Sequence, residues 1–185
     1  MRVITGSARG RRLKELEGME TRPTTDKVKE SLFSIIQFDI EGRRVLDLFA
    51  GTGQLGIEAL SRGAAECVFV DRRQDAVELI RENVKLCGLE DAARIKKGDA
   101  LAYLKSGEKF DLIFLDPPYA TDLLDQALEQ IARFDICRGH GIIVAESPAD
   151  HTLPPVEPPY SLYREYRYGK IKLTVYHRSG NEDEA

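Results

Sequence analysis

Val45-Leu-Asp47-Leu-Phe-Ala50-Gly51-Thr-Gly53-Gln-Leu-Gly56 decides the fold of this chain. Val45–Phe49 is an apolar run that fits a buried strand, and Gln54–Ser61 continues as a helix that stops at Gly63. Between them, Gly51 and Gly53 let the backbone turn tightly and come close to a ligand at the start of that helix. A strand, a glycine loop and a helix in this order form the first half of a βαβ unit.

The same alternation continues downstream. Cys67–Val70 reads as a strand stopping at Asp71, and Asp75–Leu86 as a helix with Val77, Ile80 and Val84 inward and Gly88 closing its end. Ala93–Lys97 is a short strand, Ala100–Lys105 a short helix, and Leu112–Leu115 a continuous apolar strand. Thr121 is placed to cap a helix carrying Leu124, Ala127, Leu128 and Ile131, and Ile142–Ala145 is the next strand. Apolar strands alternating with amphipathic helices predict a parallel sheet covered on both faces. The last two strands, Leu162–Tyr168 and Ile171–Tyr176, are joined at Gly169-Lys170 with no room for a helix, so they must be antiparallel. In the final strand, Ile171, Leu173 and Val175 face one side and Lys170, Lys172 and Thr174 the other.

Working back toward the start, Val28, Leu32, Ile35 and Ile36 recur at helical spacing behind the turn Thr21–Thr25, where Thr24 or Thr25 can cap the helix. Arg2–Leu16 alternates around Gly6–Gly10 and reads as a β-hairpin. The expected organisation is an N-terminal hairpin extension over 1–20, an α/β domain over 21–178 and a disordered acidic tail over 179–185.

The composition fits a soluble globular protein: 42% hydrophobic and 31% charged residues, with no apolar run long enough to span a bilayer and no signal-peptide pattern at the start. Three scattered cysteines, Cys67, Cys87 and Cys137, exclude a disulfide scaffold and point to a reducing, cytoplasmic setting. His140, His151 and His177 have no ligand spacing, and no metal site is expected. The net charge is −4, but without Glu182, Asp183 and Glu184 it is −1. The first fourteen residues hold five basic side chains and no acid, and Arg164–Arg178 holds five basic side chains and one acid. Both ends of the domain are therefore locally basic, which on its own fits solvated hairpins.

In a sheet of this kind ligands bind beyond the C-terminal ends of the strands. Asp47, the Ala50–Gly51–Gly53 loop, Asp71 and Asp99-Ala100 stand at three such ends. Asp71 lies twenty residues beyond Gly51, where a carboxylate can accept hydrogen bonds from a ribose diol. Gly51, Gly53 and Gly56 also match the dinucleotide fingerprint, which keeps a nicotinamide-dependent oxidoreductase in view. Asp47 separates the readings, because a carboxylate repels a pyrophosphate but suits the ammonium and sulfonium of S-adenosylmethionine.

Asp116-Pro117-Pro118-Tyr119 follows the fourth strand directly. The two prolines fix φ at successive positions and stiffen the projection. Asp116 and the Pro117 carbonyl can accept hydrogen bonds from an exocyclic amino group, and Tyr119 offers a ring for a base. Such an amine is a poor nucleophile because its lone pair is delocalised, and acceptors aimed at its N–H bonds help it pyramidalise. Cys67 lies inside a strand and Cys137 far from the expected pocket, against a cysteine-based mechanism.

At these residues the chain resembles the class I S-adenosylmethionine-dependent methyltransferases that carry an (Asp/Asn)-Pro-Pro-(Tyr/Phe) motif. Their Rossmann-like fold implies a seven-stranded, mostly parallel sheet with an antiparallel C-terminal hairpin. Arg2–Leu13, Thr21–Thr24, Val28–Phe33, Leu46–Gly53, Asp116–Tyr119 and Tyr168–Leu173 are similar to the RsmD family of bacterial 16S rRNA (guanine-N2)-methyltransferases. The resemblance covers residues 1 to 178 and implies a guanine amine of 16S rRNA as target, free or in a 30S particle, with the protein acting as a monomer. It gives Arg9, Arg11, Arg12, Lys170 and Lys172 the role of phosphate contacts, and Arg22 and Thr24 that of closing over the cofactor. The acidic overall charge departs from what an rRNA enzyme suggests. The glycine and Asp-Pro-Pro-Tyr motifs are shared with adenine-N6 and cytosine-N4 methyltransferases, so the N-terminal block carries the family.

Overall fold

Seven strands form one sheet in the order β3-β2-β1-β4-β5-β7-β6 in the computed structural model, which describes residues 1–17 and 26–180. In chain order the elements are α1 (Asp26–Ile35), β1 (Arg44–Asp47), α2 (Gln54–Ser61), β2 (Glu66–Asp71), α3 (Gln74–Leu86) and β3 (Ala93–Lys97). They continue with α4 (Ala100–Tyr103), β4 (Phe110–Leu115), α5 (Leu123–Phe134), β5 (Cys137–Pro148), β6 (Tyr160–Tyr168) and β7 (Ile171–Arg178). Strands β1 to β5 pair in parallel and β7 runs antiparallel to both β5 and β6. This is the expected mostly parallel sheet with its C-terminal hairpin.

The apolar strands are buried because helices cover both faces. Val28, Leu32 and Phe33 of α1, Leu55 and Ile57 of α2, and Ile80 and Val84 of α3 pack on one face. Leu124, Ala127, Leu128 and Ile131 of α5 pack on the other. Val77, Ile80 and Val84 are all buried, and Gly88 ends α3 at φ 68 with its N–H on the Lys85 carbonyl. Strand β1 pairs with β2 on one side and β4 on the other, so the connections leave it in opposite directions and open a crevice at its C-terminal end. No helix among the described residues is long and apolar enough to cross a membrane.

One expectation needs correction and two hold in modified form. First, β7 is not a strand with one solvent face. It lies between β5 and β6, both faces are covered, and Lys172 and Thr174 are buried at 4% and 1% exposure. Lys172 Nζ donates to the His151 carbonyl at 2.6 Å and lies 3.5 Å from Glu165. Second, the N-terminal arm is the expected hairpin, but a short one, with a single antiparallel bridge, Arg2 to Arg12. Its two sides are joined by Val3 N–H to the Arg11 carbonyl, Gly10 N–H to the Val3 carbonyl and Leu13 N–H to the Met1 carbonyl. The arm also bonds to α2: Ser7 N–H donates to the Ser61 carbonyl, Ala8 N–H to Ser61 Oγ, and Ile4 and Thr5 N–H to Glu58. Third, Asp122 and not Thr121 holds the N-cap position of α5 but makes no side-chain cap bond. The Thr121 hydroxyl, one residue earlier, accepts the Leu123 N–H at 3.4 Å while donating to the Pro118 carbonyl at 2.9 Å, so Thr121 does supply the cap. The expected caps Thr24 and Thr25, the cofactor contacts Arg22 and Thr24, and most of the acidic tail lie outside the described residues.

Candidate active site

Asp47 ends β1 with 2% of its surface exposed. One of its oxygens, Oδ2, accepts the Gly56 N–H at 3.0 Å, which ties the strand end to the first turn of α2. Burial, reinforced by the nearby Asp71 charge, pushes its carboxyl up to about 7. Gly51 and Gly53 both take positive φ, 57 and 83, as the tight loop requires. Gly56 serves packing instead: a Cβ there would sit 2.3 Å from the Phe69 ring, so its absence lets α2 lie against β2.

Asp71 connects the first two strand ends. Its Oδ2 accepts the Gly51 N–H at 3.0 Å and its Oδ1 the Arg73 N–H at 2.9 Å, while its carbonyl accepts from Gly98 N–H. A carboxylate has about four acceptor positions, so these bonds leave room for ribose hydroxyls. Asp99 caps α4 through the Ala102 N–H at 2.8 Å. Three aspartates at three neighbouring strand ends are thus fixed by backbone hydrogen bonds before any ligand arrives.

These residues line one cleft of about 650 Å³, together with Ala50, Gly51 and Ala100 on one side and Asp116 and Pro118 on the other. The volume is in the range of sites for drug-sized molecules. Of the expected set, Gly53 lies behind the wall against Ile80, and Pro117 and Tyr119 are not in the lining. Tyr119 is instead held from beneath: its hydroxyl donates to Oε1 of the buried Glu146 at 3.1 Å. Glu146 escaped the sequence reading, although a carboxylate ending the apolar run Ile142–Ala145 was a visible signal.

Also unforeseen were Met1, Glu15 and Leu16, which the N-terminal arm brings to the cleft. Besides Ser61, two buried polar clusters seat the arm. Glu58, fully buried, accepts from Ile4, Thr5 and Arg62 and pairs with the fully buried Lys29 at 3.3 Å, whose ammonium also donates to the Arg2 carbonyl. Asn83 brackets the Lys14 backbone from both sides and donates to the Thr52 carbonyl in the glycine loop. Lys29, Glu58 and Asn83 interrupt apolar helix faces, which was their only sequence signature.

Arg9, Arg11, Arg12 and Lys170 are exposed, whereas Lys172 is buried and does not offer a phosphate contact. Lys170 sits at the β6–β7 turn, and β7 begins opposite the C-terminal end of β5, so it shares the cleft's end of the sheet. Arg9 follows a segment bound to Ser61, at the opposite end of α2 from the glycine loop. Cys67 lies inside β2, and burial pushes its thiol well up. Cys137 opens β5 at the far end of the sheet, and burial pushes its thiol up to about 12. Neither can supply a thiolate nucleophile.

Residues 1–177 match the family described as Conserved hypothetical protein 95. YlbH of Bacillus subtilis is 43% identical over 184 residues, covering 97% of this chain and 100% of the relative. "Ribosomal RNA small subunit methyltransferase D" of Escherichia coli K12 is 32% identical over 179 residues, covering 96% of this chain and 90% of the relative. The chain belongs to the RsmD family of methyltransferases. The solved structure of Escherichia coli yhhF is similar along its whole length, with a TM-score of 0.88, 31% identity, and coverage of 98% of this chain and 99% of that one. In RsmD terms, the arm that brings Met1, Glu15 and Leu16 to the cleft lies inside the matched residues.

Proposed function

We propose that this RsmD-family protein transfers a methyl group from S-adenosylmethionine to the exocyclic N2 amine of a guanine in 16S rRNA, acting as a cytoplasmic monomer on the small ribosomal subunit or an intermediate of its assembly. One observation carries the reading: Asp116 and Pro118 line the same cleft as Asp47 and Asp71, so an amine-orienting loop and a cation-accepting loop share one space.

The residues fit the donor. Asp47 faces the position of a cationic group, Asp71 keeps acceptor capacity for ribose hydroxyls, and Asp99 with Ala100 borders the place for a base. When bound, S-adenosylmethionine supplies an electrophilic methyl on a positively charged sulfur. A pyrophosphate at the glycine loop would meet the Asp47 carboxylate, which disfavours the nicotinamide alternative. Asp116 and the Pro117 carbonyl accept from the guanine amine and localise its lone pair toward the cleft. Tyr119, fixed by Glu146, presents a ring to the base, and the double proline limits the loop's freedom so that alignment costs little entropy. The amine would take the methyl carbon as the sulfur–methyl bond breaks to leave a neutral thioether, and would then release one proton to solvent. Arg9, Arg11, Arg12 and Lys170 contribute phosphate contacts that position the RNA without selecting the base.

Mass mapping of 16S rRNA from cells with and without the protein tests this. The expected result is one guanine that loses a single methyl group in its absence. An unchanged map, or loss of methylation at adenine or cytosine, would overturn the guanine assignment.

A further inference from the structure

The edge strand β6 carries a row of aromatic and basic side chains that no part of the cleft uses. Opposite β7, Arg164, Tyr166 and Tyr168 pair with Val175, Leu173 and Ile171, all of which pack on the α1–α3 face of the sheet. Tyr163 occupies the irregularity between Leu162 and Arg164 and stacks on His177, with ring centroids 4.2 Å apart and 13° between planes. The Arg164 guanidinium stands 5.9 Å from the centres of both the Tyr163 and the Tyr166 rings. Tyr163 is 55% exposed. Tyr163 and Arg164 therefore form an exposed, pre-ordered pair of π-face and cation, continued along the strand by Tyr166 and Tyr168, which are half-buried against the α1–α3 core.

Its position relates it to the cleft. Glu146, which holds Tyr119, pairs with Leu173, and Leu173 pairs with Tyr166. Two strand spacings separate Glu146 from Tyr166, about 10 Å. Strand alternation puts Glu146 on the same sheet face as Ile142 and Val144, and so on the face of Tyr166. The row thus starts beside the Tyr119 support and runs away from the cleft along the sheet edge.

Its charge selects the occupant. Arg164, Arg167 and Lys170 are exposed, whereas the strand's one acid, Glu165, is paired with the buried Lys172. A second copy added edge to edge would bring like charges together, which destabilises strand pairing. An anionic polymer with flat, unpaired bases satisfies both the charge and the π-faces.

We infer that β6 is a stacking platform for the single-stranded RNA that leads away from the target nucleotide, with Tyr163 and Arg164 as its exposed far end. This rests on the reading that the substrate is RNA. It assigns these side chains to substrate affinity, separate from the transfer step.

Small-subunit particles from cells lacking this protein are titrated against the full chain with S-adenosylmethionine saturating. The double variant Tyr163→Ala/Arg164→Ala is expected to raise the half-saturating particle concentration about tenfold or more, with maximal rate and S-adenosylmethionine affinity unchanged. Tyr163→Phe, which keeps the ring, stays at the wild-type value. The inference is overturned if the double variant matches wild type, if Tyr163→Phe is as impaired as the double variant, or if donor affinity and thermal stability fall in parallel. It is also overturned if sedimentation finds a wild-type dimer that the double variant dissolves. Should the wild type transfer no methyl to the particles, the functional reading fails, and a fluorescent single-stranded RNA oligonucleotide still decides the platform. Weaker binding by the double variant than by wild type upholds it, and equal binding overturns it.

Discussion

Donor binding should depend on pH through Asp47. In the free protein this carboxyl is pushed up to about 7 from its ordinary 3.8, because burial penalises the charge. A cation bound beside it favours the ionised form, so binding below that pH must expel a proton. The ionised fraction falls from about three-quarters at pH 7.5 to about 3% at pH 5.5, which predicts affinity about 25-fold weaker at the lower pH. The donor's own α-amine stays mostly protonated over this range, since such amines titrate near 8. Calorimetry at pH 6 in two buffers of different ionisation heat should report release of close to one proton per S-adenosylmethionine bound. Asp47→Asn keeps an acceptor for the Gly56 N–H and should give weak, pH-independent binding. The same group acts on stability with a definite sign. Its protonated form favours the fold fully below pH 3.8, and that contribution, on the order of 4 kcal/mol, is lost as pH rises through about 7. Flat wild-type affinity between pH 5.5 and 7.5, with no proton released, would refute the placement of a cation at Asp47.

Asp116→Ala should lower the transfer rate by about 10²- to 10³-fold, with donor affinity kept, as single-turnover kinetics alongside equilibrium binding would show. Glu146→Leu should let Tyr119 move and cost up to about 100-fold in maximal rate, whereas Glu146→Gln, which retains an acceptor, should stay near wild type; equal loss in both would remove the hydrogen bond from the argument. Lys29→Met leaves Glu58 buried without its ammonium and should destabilise the protein by about 3 kcal/mol in denaturant titration, with earlier proteolysis of the N-terminal arm than of the sheet.

Much of the site was legible because its chemistry lies in contiguous motifs at strand ends. Asp47, Gly51, Asp71, Asp99 and Asp116 all reach the cleft as their spacing implies. The failures share one cause, which is contact between residues distant in sequence. Lys172 alternates like a surface residue, yet β7 is inserted between two strands and its ammonium ends on the His151 carbonyl. Tyr163 lies in a strand that pairs along its length with β7, yet it stands exposed beside the register shift between Leu162 and Arg164.

Sequence alone determined the alternation of strands and helices, the closing hairpin and the identity of the loops that carry acceptors, because hydrophobic period and glycine placement act over a few residues. Only the tertiary structure decided that Glu146 supports Tyr119, that the N-terminal arm reaches the cleft through Glu58, Lys29 and Asn83, and which basic side chains meet solvent. Those outcomes depend on strand order and on buried polar groups finding partners dozens of residues away, and no local pattern encodes either.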